Sequence, residues 1–319
     1  MADKIKVGII RGGTGSHHAI SVRKGGDLIS HIFENLSEKY KTVDIFIDKN
    51  GNWYANGLPV IPADLVHKID IIWNTSEHPG LSMILDSLVM PSIKKGHFLK
   101  VLENNNDALK KHVKEIGVQV PKSILLPLYQ KDFDGPRERY AIKKAKEIFE
   151  KFPAPWIVKS FTPDSNMGIH LAKTFGELSG AIEDGVAHGK SILVEEFIVG
   201  KPLSVHSITG FRGNQPASLR EALLAGDVYV FPIIDSIFSS TEKEKMISFT
   251  KNLHKHLNIQ HYLKSDFVLH PKKGIFLTQI CTSPDLREGS HFEQSCKYIG
   301  AEMSHIIEHF LEKTLNKKV

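Results

Sequence analysis

The chain has 319 residues, of which 41% are hydrophobic and 24% charged, a composition typical of a globular protein long enough for two or three layered domains. The net charge of +5 comes without a dense Lys/Arg block or alternating basic and aromatic residues, which argues against a nucleic-acid partner. No apolar segment has membrane-spanning length and MADKIKVGII is too short an apolar run for a signal peptide, so we expect no membrane partner. Cys281 and Cys296 lack metal-motif spacing, and we expect a reducing, cytoplasmic compartment.

The first element that the sequence predicts is a strand at residues 5–10, followed by a glycine-rich turn and a helix. The apolar run IKVGII leads into the turn Arg11-Gly12-Gly13-Thr14-Gly15-Ser16. The helix would place five residues on one apolar face, namely Ile29, Ile32, Phe33, Leu36 and Tyr40. Glycines let backbone N–H groups approach a ligand and a helix start favours an anion, but a tight turn without a ligand explains the same residues.

Strands and helices continue to alternate through the first half of the chain. We predict buried strands at 43–47 and 69–74 and a helix at 81–90. A further helix is predicted at 104–117, capped by an asparagine cluster, and a basic amphipathic helix at 136–152. Such alternation is typical of an α/β fold.

A strand at 156–160, WIVKS, carries Lys159 near its middle. A lysine inside a buried strand is costly unless it is paired, so we assign Lys159 a functional role. Residues 192–210 predict strand, turn and strand, and residues 215–235 two further strands. The core face of a helix predicted at 241–258 consists of Met246, Phe249, Leu253 and Leu257.

The segment 262–285 predicts two strands joined by a turn near residues 271–274. Side chains alternate between the two faces of a strand, and neighbouring strands lie side by side. Asp266 would therefore lie roughly opposite Gln279 and Cys281. One carboxylate and one amide oxygen would point into the same space.

Taken in this order, from residue 5 to about residue 300, these segments resemble the ATP-grasp superfamily and most closely the D-alanine–D-alanine ligases. GGTGSHHAIS resembles the ligase segment GGTSAEREVS, ILVEEFI resembles the segment that joins the two ATP-grasp subdomains, and residues 262–285 resemble the metal-binding strands. The implied architecture is α/β. It comprises an N-terminal Rossmann-like pre-ATP-grasp domain at 1–91 and two α+β ATP-grasp subdomains at 92–196 and 197–319, the last with the metal and phosphate hairpin.

The resemblance also implies an activity and the residues that carry it. It implies an ATP-dependent carboxylate–amine ligase of the peptidoglycan type that works through an acyl phosphate. The implied cofactors are ATP and Mg²⁺, the latter at a weak or single site, with a small amino-acid-like substrate and a homodimer. The implied residues are Lys264, Ser165 and Ser290 for catalysis, Lys159, Glu195, Glu196, Phe197 and Ile198 for the nucleotide, Asp266 and Gln279 for the metal, and Gly13 and His17 for the substrate.

Several positions differ in type from the family pattern. His17 stands in place of a glutamate that helps to bind the substrate's ammonium group, and Gln279 and Cys281 stand in place of a glutamate and an asparagine that hold magnesium. The other exchanged positions are Asn106, Asp164, Pro202 and Ile234.

These exchanges leave three interpretations open. The protein is a ligase of this type, a ligase for a different amino acid, or a catalytically impaired or inactive relative that binds a nucleotide or a peptide. Ser290 also has a structural explanation, since Glu293 three residues further on would complete a capping box.

Overall fold

The structure is a computed structural model that describes residues 3–104, 106–161, 167–211 and 227–316, without the side chains of residues 104–107. The chain divides into two compact units. Unit 1 comprises Met1–Lys100, Val205–Lys264 and Cys281–Val319, and unit 2 comprises Val101–Ser204 and Ser265–Ile280. The division into domains at 1–91, 92–196 and 197–319 stays a prediction.

The described residues form strands and helices in regular alternation. The strands are β1 (Ile5–Gly12), β2 (Tyr40–Ile47), β3 (Trp53–Ala55), β4 (Leu58–Pro59), β5 (Ile71–Asn74), β6 (Ser92–Ile93), β7 (Ser123–Leu126), β8 (Trp156–Ser160), β9 (His170–Ala172), β10 (Ile192–Glu196), β11 (Lys201–Thr209), β12 (Val228–Val230), β13 (Tyr262–His270) and β14 (Gly274–Cys281). The α-helices are α1 (His18–Asn35), α2 (Leu81–Ser87), α3 (His97–Asn104), α4 (Asn106–Val113), α5 (Lys131–Asp134), α6 (Arg137–Phe149), α7 (Phe175–Ala187), α8 (Ser240–His256), α9 (His291–Tyr298) and α10 (Met303–Leu315). Short 3₁₀ helices span Pro62–His67 and Lys114–Ile116.

Unit 1 contains a six-stranded sheet in the order β4-β3-β2-β1-β5-β6. β1 is parallel to β2 on one side and to β5 on the other. Ile9 and Ile10 on β1 are fully buried in two different core clusters, as expected for a parallel strand that is covered on both faces. The winding direction reverses at β1, so the loops after β1 and β5 meet at the edge where such sheets bind ligands.

The helix α1 is rotated by about one residue from the predicted face. Its buried residues follow the three- and four-residue spacing of one helical stripe and are Ser21, Gly25, Leu28 and Ile32. Phe33, predicted on the core face, is 72% exposed. Tyr40 lies in β2 rather than in the helix. The prediction was wrong for Phe33 because the apolar positions 29, 33 and 36 form a stripe beside the buried one. For Tyr40 it was wrong because the helix ends at Asn35, and Tyr40 is buried in the core from β2 instead.

Two predicted helices are shorter than the sequence indicates. The helix predicted at 81–90 ends at Ser87, and Pro91 disfavours helical geometry at the residue before it. The helix predicted at 104–117 begins as α4 and passes into the 3₁₀ turn Lys114–Ile116. The C-terminal helices α9 and α10 are separated at Gly300, where φ is +71°, a conformation that glycine adopts without strain. Among the described residues, no helix is both long and apolar enough to cross a membrane.

Unit 2 contains a four-stranded sheet in the order β7-β10-β8-β9. Trp156 and Val158 on β8 and Val194 on β10 are fully buried, and they pack with residues of α6 and α7 in one core cluster. Lys159 and Glu195 belong to the alternate positions of these strands and lie on the opposite face of the sheet. The predicted strand WIVKS is confirmed. Thr174 caps α7 in a complete capping box with Glu177.

A third sheet has the order β12-β11-β13-β14, and the division between the units falls inside three of its strands. The predicted hairpin is confirmed as β13 and β14. Its turn is held by His270, whose Nδ1 accepts hydrogen bonds from the backbone N–H groups of Lys272 and Lys273 at 3.0 Å each. Of the two strands predicted at 215–235, β12 falls at Val228–Val230, and residues 215–226 lie outside the described residues.

Candidate active site

The turn after β1 in unit 1 requires glycine. Gly12 and Gly13 have φ values of +88° and +117°, and a Cβ at Gly12 would lie 2.1 Å from the carbonyl oxygen of Ile47. The N–H of Gly13 donates to that Ile47 oxygen at 2.8 Å, and the carbonyl of Gly13 accepts from His18 Nδ1 at 2.7 Å. These bonds account for Gly13 structurally, and its role toward substrate stays a prediction.

The loop after β5 meets the turn after β1, as the strand order predicts. Ser76 Oγ donates to the carbonyl of Gly12 at 2.8 Å, and Thr14 Oγ1 lies 3.3 Å from His78 Nδ1. Each loop therefore fixes the position of the other at the sheet edge where ligands bind.

This meeting of loops gives His17 an acidic neighbour that the sequence analysis missed. Glu77 Oε2 lies 3.6 Å from His17 Nδ1, and the Glu77 carboxylate is also 3.7 Å from Lys95 Nζ and 3.9 Å from Lys100 Nζ. The carboxylate that is absent at residue 17 is thus supplied at residue 77. Glu77 comes three residues after β5, at the carboxyl edge where parallel sheets bind ligands, and that position was the available signal.

A cavity of about 120 Å³ opens in unit 1 beside these loops. Its apolar lining includes Trp73 on β5, Ile93 on β6, Tyr262 on β13, Phe310 on α10 and Leu286, which follows β14. Its polar part includes Glu77, His78, Lys95 and Lys100. An apolar pocket with a few charged groups is typical of a site for a small ligand.

In unit 2, Lys159 forms an ion pair with Glu195. Lys159 stands opposite Leu193 and Glu195 opposite Ile157, so the two side chains are diagonal neighbours on one sheet face. The Glu195 side chain is only 7% exposed, whereas that of Lys159 is 36% exposed. The paired lysine therefore keeps part of its surface open to an anionic ligand.

In the segment at the end of β10, predicted to bind adenine, two backbone N–H groups donate to carbonyls within unit 2. The N–H of Glu196 donates to Lys122 O at 2.8 Å and that of Phe197 to Pro155 O at 3.0 Å. The Glu196 carboxylate pairs with Lys273 at 3.2 Å. Ile198 is 7% exposed. These contacts fix the course of the segment, and binding of adenine by Glu195, Glu196, Phe197 and Ile198 stays a prediction.

Asp266 is the one carboxylate of the predicted metal site. It lies on β13, half-buried, and accepts a hydrogen bond from Ser204 Oγ on β11 at 2.5 Å. Gln279 lies exposed on the neighbouring strand β14, directly after Thr278, whose hydroxyl donates to the Asp266 carbonyl at 3.0 Å. In the described part of the chain, no group of three or more His, Cys, Asp or Glu side chains is arranged to hold a metal ion.

The ligand atoms of Asp266, Gln279 and Cys281 can be compared with those that Mg²⁺ prefers. Mg²⁺ takes oxygen ligands and commonly needs one or two carboxylates besides phosphate oxygens and water. Asp266 and the Gln279 amide offer oxygen donors of this kind, and their joint binding of one ion stays a prediction. Cys281 offers a soft thiol, whose Sγ lies 3.3 Å from the carbonyl of Ser283, and it does not fit a second Mg²⁺.

The remaining residues discussed for the site are Ser290, Lys264 and Ser165, together with the exchanged positions Asp164 and Asn106. Ser290 is the N-cap of α9: its Oγ accepts from the N–H of Glu293 at 3.1 Å and donates to Asp285 O at 3.0 Å. Ser290 is thus confirmed as the N-cap, but the predicted capping box is incomplete, because the Glu293 carboxylate accepts from the N–H of Gly289 at 2.6 Å and the N–H of Ser290 donates to Arg287 O. The catalytic role of Ser290 stays a prediction. Lys264 is half-buried on β13. Ser165 and Asp164 lie outside the described residues, as does the side chain of Asn106.

Two exchanged positions lie at the surface. Pro202 is exposed on β11, and Ile234 is 45% exposed. Neither side chain supplies a polar group, so neither restores the family contact that it replaces.

Comparison with known proteins identifies the family. The family model described as D-ala D-ala ligase C-terminus matches residues 113–312, which is more than half of the chain. The chain belongs to the D-Ala–D-Ala ligase family. The predicted family is thus confirmed, and it is a family of ATP-dependent ligases.

Relatives of this family match along almost the whole chain. The D-alanine–D-alanine ligase of Christiangramia forsetii is 22% identical over 99% of this chain and 100% of its own length. That of Carboxydothermus hydrogenoformans is 24% identical over 96% of this chain and 97% of its own. The segment order inferred from the sequence therefore extends beyond the region that the family model covers.

Solved structures of the D-Ala–D-Ala ligase family share the fold. D-alanyl-alanine synthetase A from Vibrio cholerae superposes with a TM-score of 0.78 at 17% identity, covering 99% of each chain. The VanG D-Ala:D-Ser ligase from Enterococcus faecalis superposes with a TM-score of 0.72 at 18% identity, covering 98% of this chain and 100% of its own. The predicted α/β fold with an ATP-grasp architecture is confirmed.

Proposed function

We propose that this protein is an ATP-dependent ligase that joins the carboxylate of a small amino-acid-like substrate to an amine through an acyl phosphate. The observation that carries the proposal is the Lys159–Glu195 pair at the start of the segment predicted to bind adenine, in a chain of this family. Glu195 holds the lysine in place, and the ammonium group can then contact phosphate oxygens.

The other residues take roles that their positions support. The backbone of Glu196–Ile198 would contact the adenine edge and Phe197 its ring face. Asp266 and Gln279 would hold one Mg²⁺, and this ion would supply positive charge that stabilises the phosphate oxygens during transfer. Lys264 would stabilise the oxyanion when the amine attacks the acyl phosphate.

This protein would recognise its amino-acid substrate with different residues from those of the family pattern. Glu77, together with His17, would receive the ammonium group of an amino acid, while the cavity beside them would take its apolar part. The position of this carboxylate on the loop after β5 rather than at residue 17 favours a ligase whose amino acid differs from D-alanine in shape or charge.

Calorimetric titration with ATP, with and without Mg²⁺, tests the proposal. We expect binding that strengthens with Mg²⁺. Lys159→Met should weaken it about tenfold, because one charge-assisted contact contributes on the order of 1.4 kcal/mol. Lys143→Met, on the exposed face of α6, is the matched control and should bind as the wild type does. ADP release would then be measured with a panel of D- and L-amino acids.

Other outcomes separate the alternatives. Binding of ATP that Mg²⁺ does not change would favour a nucleotide-binding relative without catalysis. Absence of ATP binding would overturn the ligase proposal.

A further inference from the structure

The cavity of unit 1 has four lysine side chains in its lining, and one of them differs from the other three. A carboxylate lies within 4 Å of each of Lys94, Lys95 and Lys100. The fourth, Lys24 on α1, is half-buried, and within the described parts of the chain no carboxylate oxygen lies within 4 Å of its ammonium group. Burial makes an ammonium group without a counter-charge costly, so a ligand that brings a negative charge would bind there favourably.

The carboxylates nearest to Lys24 in charge interaction also act on another cation. Lys24 acts electrostatically on Asp285, but the two oxygens of that carboxylate lie 2.8 Å from Nε and 2.5 Å from Nη2 of Arg287. Asp27, three residues further along α1, lines the cavity and acts electrostatically on the same Arg287. The Lys24 ammonium group therefore retains the capacity to attract an anion into the cavity.

Lys24 lies beside the loop that follows β5. The hydroxyl oxygen of Thr75 lies 3.3 Å from the carbonyl oxygen of Ser21, and a Cβ at Gly25 would lie 3.2 Å from the same hydroxyl oxygen. The turn of α1 that carries Lys24 thus packs directly on this loop. The loop also carries Glu77, and Lys24 and Glu77 line one cavity.

Asn74, the last residue of β5, adds a second donor to the lining. Its Oδ1 accepts from the N–H of Ser76 at 2.8 Å, which fixes the carboxamide group. Its Nδ2 has two N–H donors, and no acceptor for them lies among the residues that the structure describes. One ammonium group and one amide match the two oxygens of a carboxylate.

We propose that the cavity binds an amino acid with an acidic side chain, and that Lys24 and the Nδ2 group of Asn74 hold its side-chain carboxylate. The proposal rests on the ligase function proposed above and names its substrate class. Glu77 takes the ammonium group, the apolar lining takes the methylene groups, and the α-carboxylate stays available for activation by ATP. The group that Lys24 holds is therefore a second carboxylate, and the substrate is a dicarboxylic amino acid.

In this arrangement Lys24 and Asn74 determine specificity and take no part in the chemical step. A neutral amide of the same shape as the acid keeps the contacts of the ammonium group, the methylene groups and the α-carboxylate. It does not neutralise the Lys24 ammonium group, and a site that leaves a buried polar group without its partner discriminates against such an analogue.

Calorimetric titration of the full-length protein with amino acids, with and without a non-hydrolysable ATP analogue, tests the inference. The probes are glutamate and aspartate beside their neutral counterparts glutamine and asparagine, each as the D- and the L-form. In at least one pair we expect the acid to bind about tenfold more tightly than the amide, because one charge-assisted contact is gained. Lys24→Met should weaken binding of that acid about tenfold and leave binding of the amide within twofold.

Further variants separate charge from shape. Lys24→Arg keeps the charge and should keep the preference for the acid. Asn74→Asp keeps the bond from the N–H of Ser76 but adds a negative charge, so it should weaken binding of the acid more than that of the amide. Lys68→Met, at an exposed position of unit 1 that does not line the cavity, should bind as the wild type does. If Lys24→Met fails to fold, the comparison of acid with amide in the wild type and the Asn74→Asp variant decide.

Each contrary result has a distinct meaning. Equal binding of acid and amide by the wild type, or no binding of any of these amino acids, would overturn the inference, while ADP release with another amino acid would leave the ligase function standing. Equal weakening of acid and amide by Lys24→Met would assign Lys24 to the α-carboxylate and overturn the inference as well. Tight binding of the acid without ADP release in the presence of ATP and Mg²⁺ would overturn the ligase function, and the assignment of Lys24 to an acidic ligand would stand.

Discussion

At residue 17 the family's glutamate is a histidine, and a carboxylate lies beside it at Glu77. The distance of 3.6 Å between His17 Nδ1 and Glu77 Oε2 is short enough for a charge-dependent interaction. Lys95 and Lys100 approach the same carboxylate at 3.7 and 3.9 Å, which are loose contacts. The carboxylate therefore keeps the capacity to form a shorter bond with a substrate ammonium group.

Glu77→Gln is expected to impair amino-acid binding selectively. The substitution keeps the shape of the side chain but removes the charge, so the KM for the amino acid should rise about tenfold while the KM for ATP stays within twofold. Steady-state ADP release measures both constants. Glu34→Gln on the exposed side of α1 is the matched control. An equal rise in both KM values would indicate a general disturbance of the protein and contradict this role of Glu77.

Single residues could be predicted only where the local pattern constrained them. A lysine in the middle of a buried strand pointed to Lys159, because such a charge needs a partner. Its partner Glu195 was named for the nucleotide, but the ion pair depends on the register of β8 and β10, which the sequence does not specify. Glu77 and His17 are 60 positions apart, and only the order of strands in the sheet brings them together.

At the scale of elements, the connection between β10 and β11 has a strict steric requirement. A Cβ at Gly200 would lie 2.2 Å from the carbonyl oxygen of Leu269 and 2.7 Å from its carbonyl carbon. Both are backbone atoms of β13, and a strand held in a sheet cannot move away as a flexible side chain can. The segment predicted to bind adenine therefore depends on this glycine for its course.

Gly200→Ala is expected to destabilise the protein by about 1–3 kcal/mol through overpacking. Gly180→Ala, in the exposed part of α7 where a Cβ would meet nothing within 4 Å, should instead stabilise it by about 0.5–1 kcal/mol. Urea unfolding of the two variants beside the wild type measures both changes. Equal stability of Gly200→Ala and the wild type would show that the strand end moves freely.

Elements whose signal is local were predicted well. The hairpin of β13 and β14 and the N-cap of α9 depend on residues within a few positions of one another. The face of α1 was predicted less well, because two adjacent stripes are apolar and only the sheet beneath determines which one is buried. The break at Gly300 required knowledge that its φ is positive.

At the scale of the whole molecule, buried histidines couple folding to pH. Burial lowers the pKa of His254 to about 4, and burial with nearby positive charge lowers that of His206 to about 3. Burial also lowers the pKa of His309. His254 is held in place by hydrogen bonds to the hydroxyls of Ser207 and Thr209 at 2.8 and 2.7 Å. These side chains are neutral in the folded protein at pH values where the unfolded chain would protonate them.

The protein is therefore expected to lose stability as the pH falls below 6.5. Between pH 6.5 and about 4 the unfolded chain binds a proton at residue 254 and the folded protein does not, so the free energy of unfolding decreases with falling pH. The slope is at most about 1.4 kcal/mol per pH unit for each histidine, and His206 extends the effect to about pH 3. Urea unfolding at pH 7.5, 6 and 5 measures how the free energy of unfolding depends on pH.

His254→Gln tests whether this histidine is the source of the pH dependence. The variant should be less stable than the wild type at pH 7.5, because glutamine cannot reproduce both hydrogen bonds, yet its stability should fall less steeply toward pH 5. His256→Gln, exposed on the same helix, should keep the wild-type slope. If His254→Gln keeps that slope too, the proton uptake belongs to other groups, and burial of His254 does not govern the acid response of the protein.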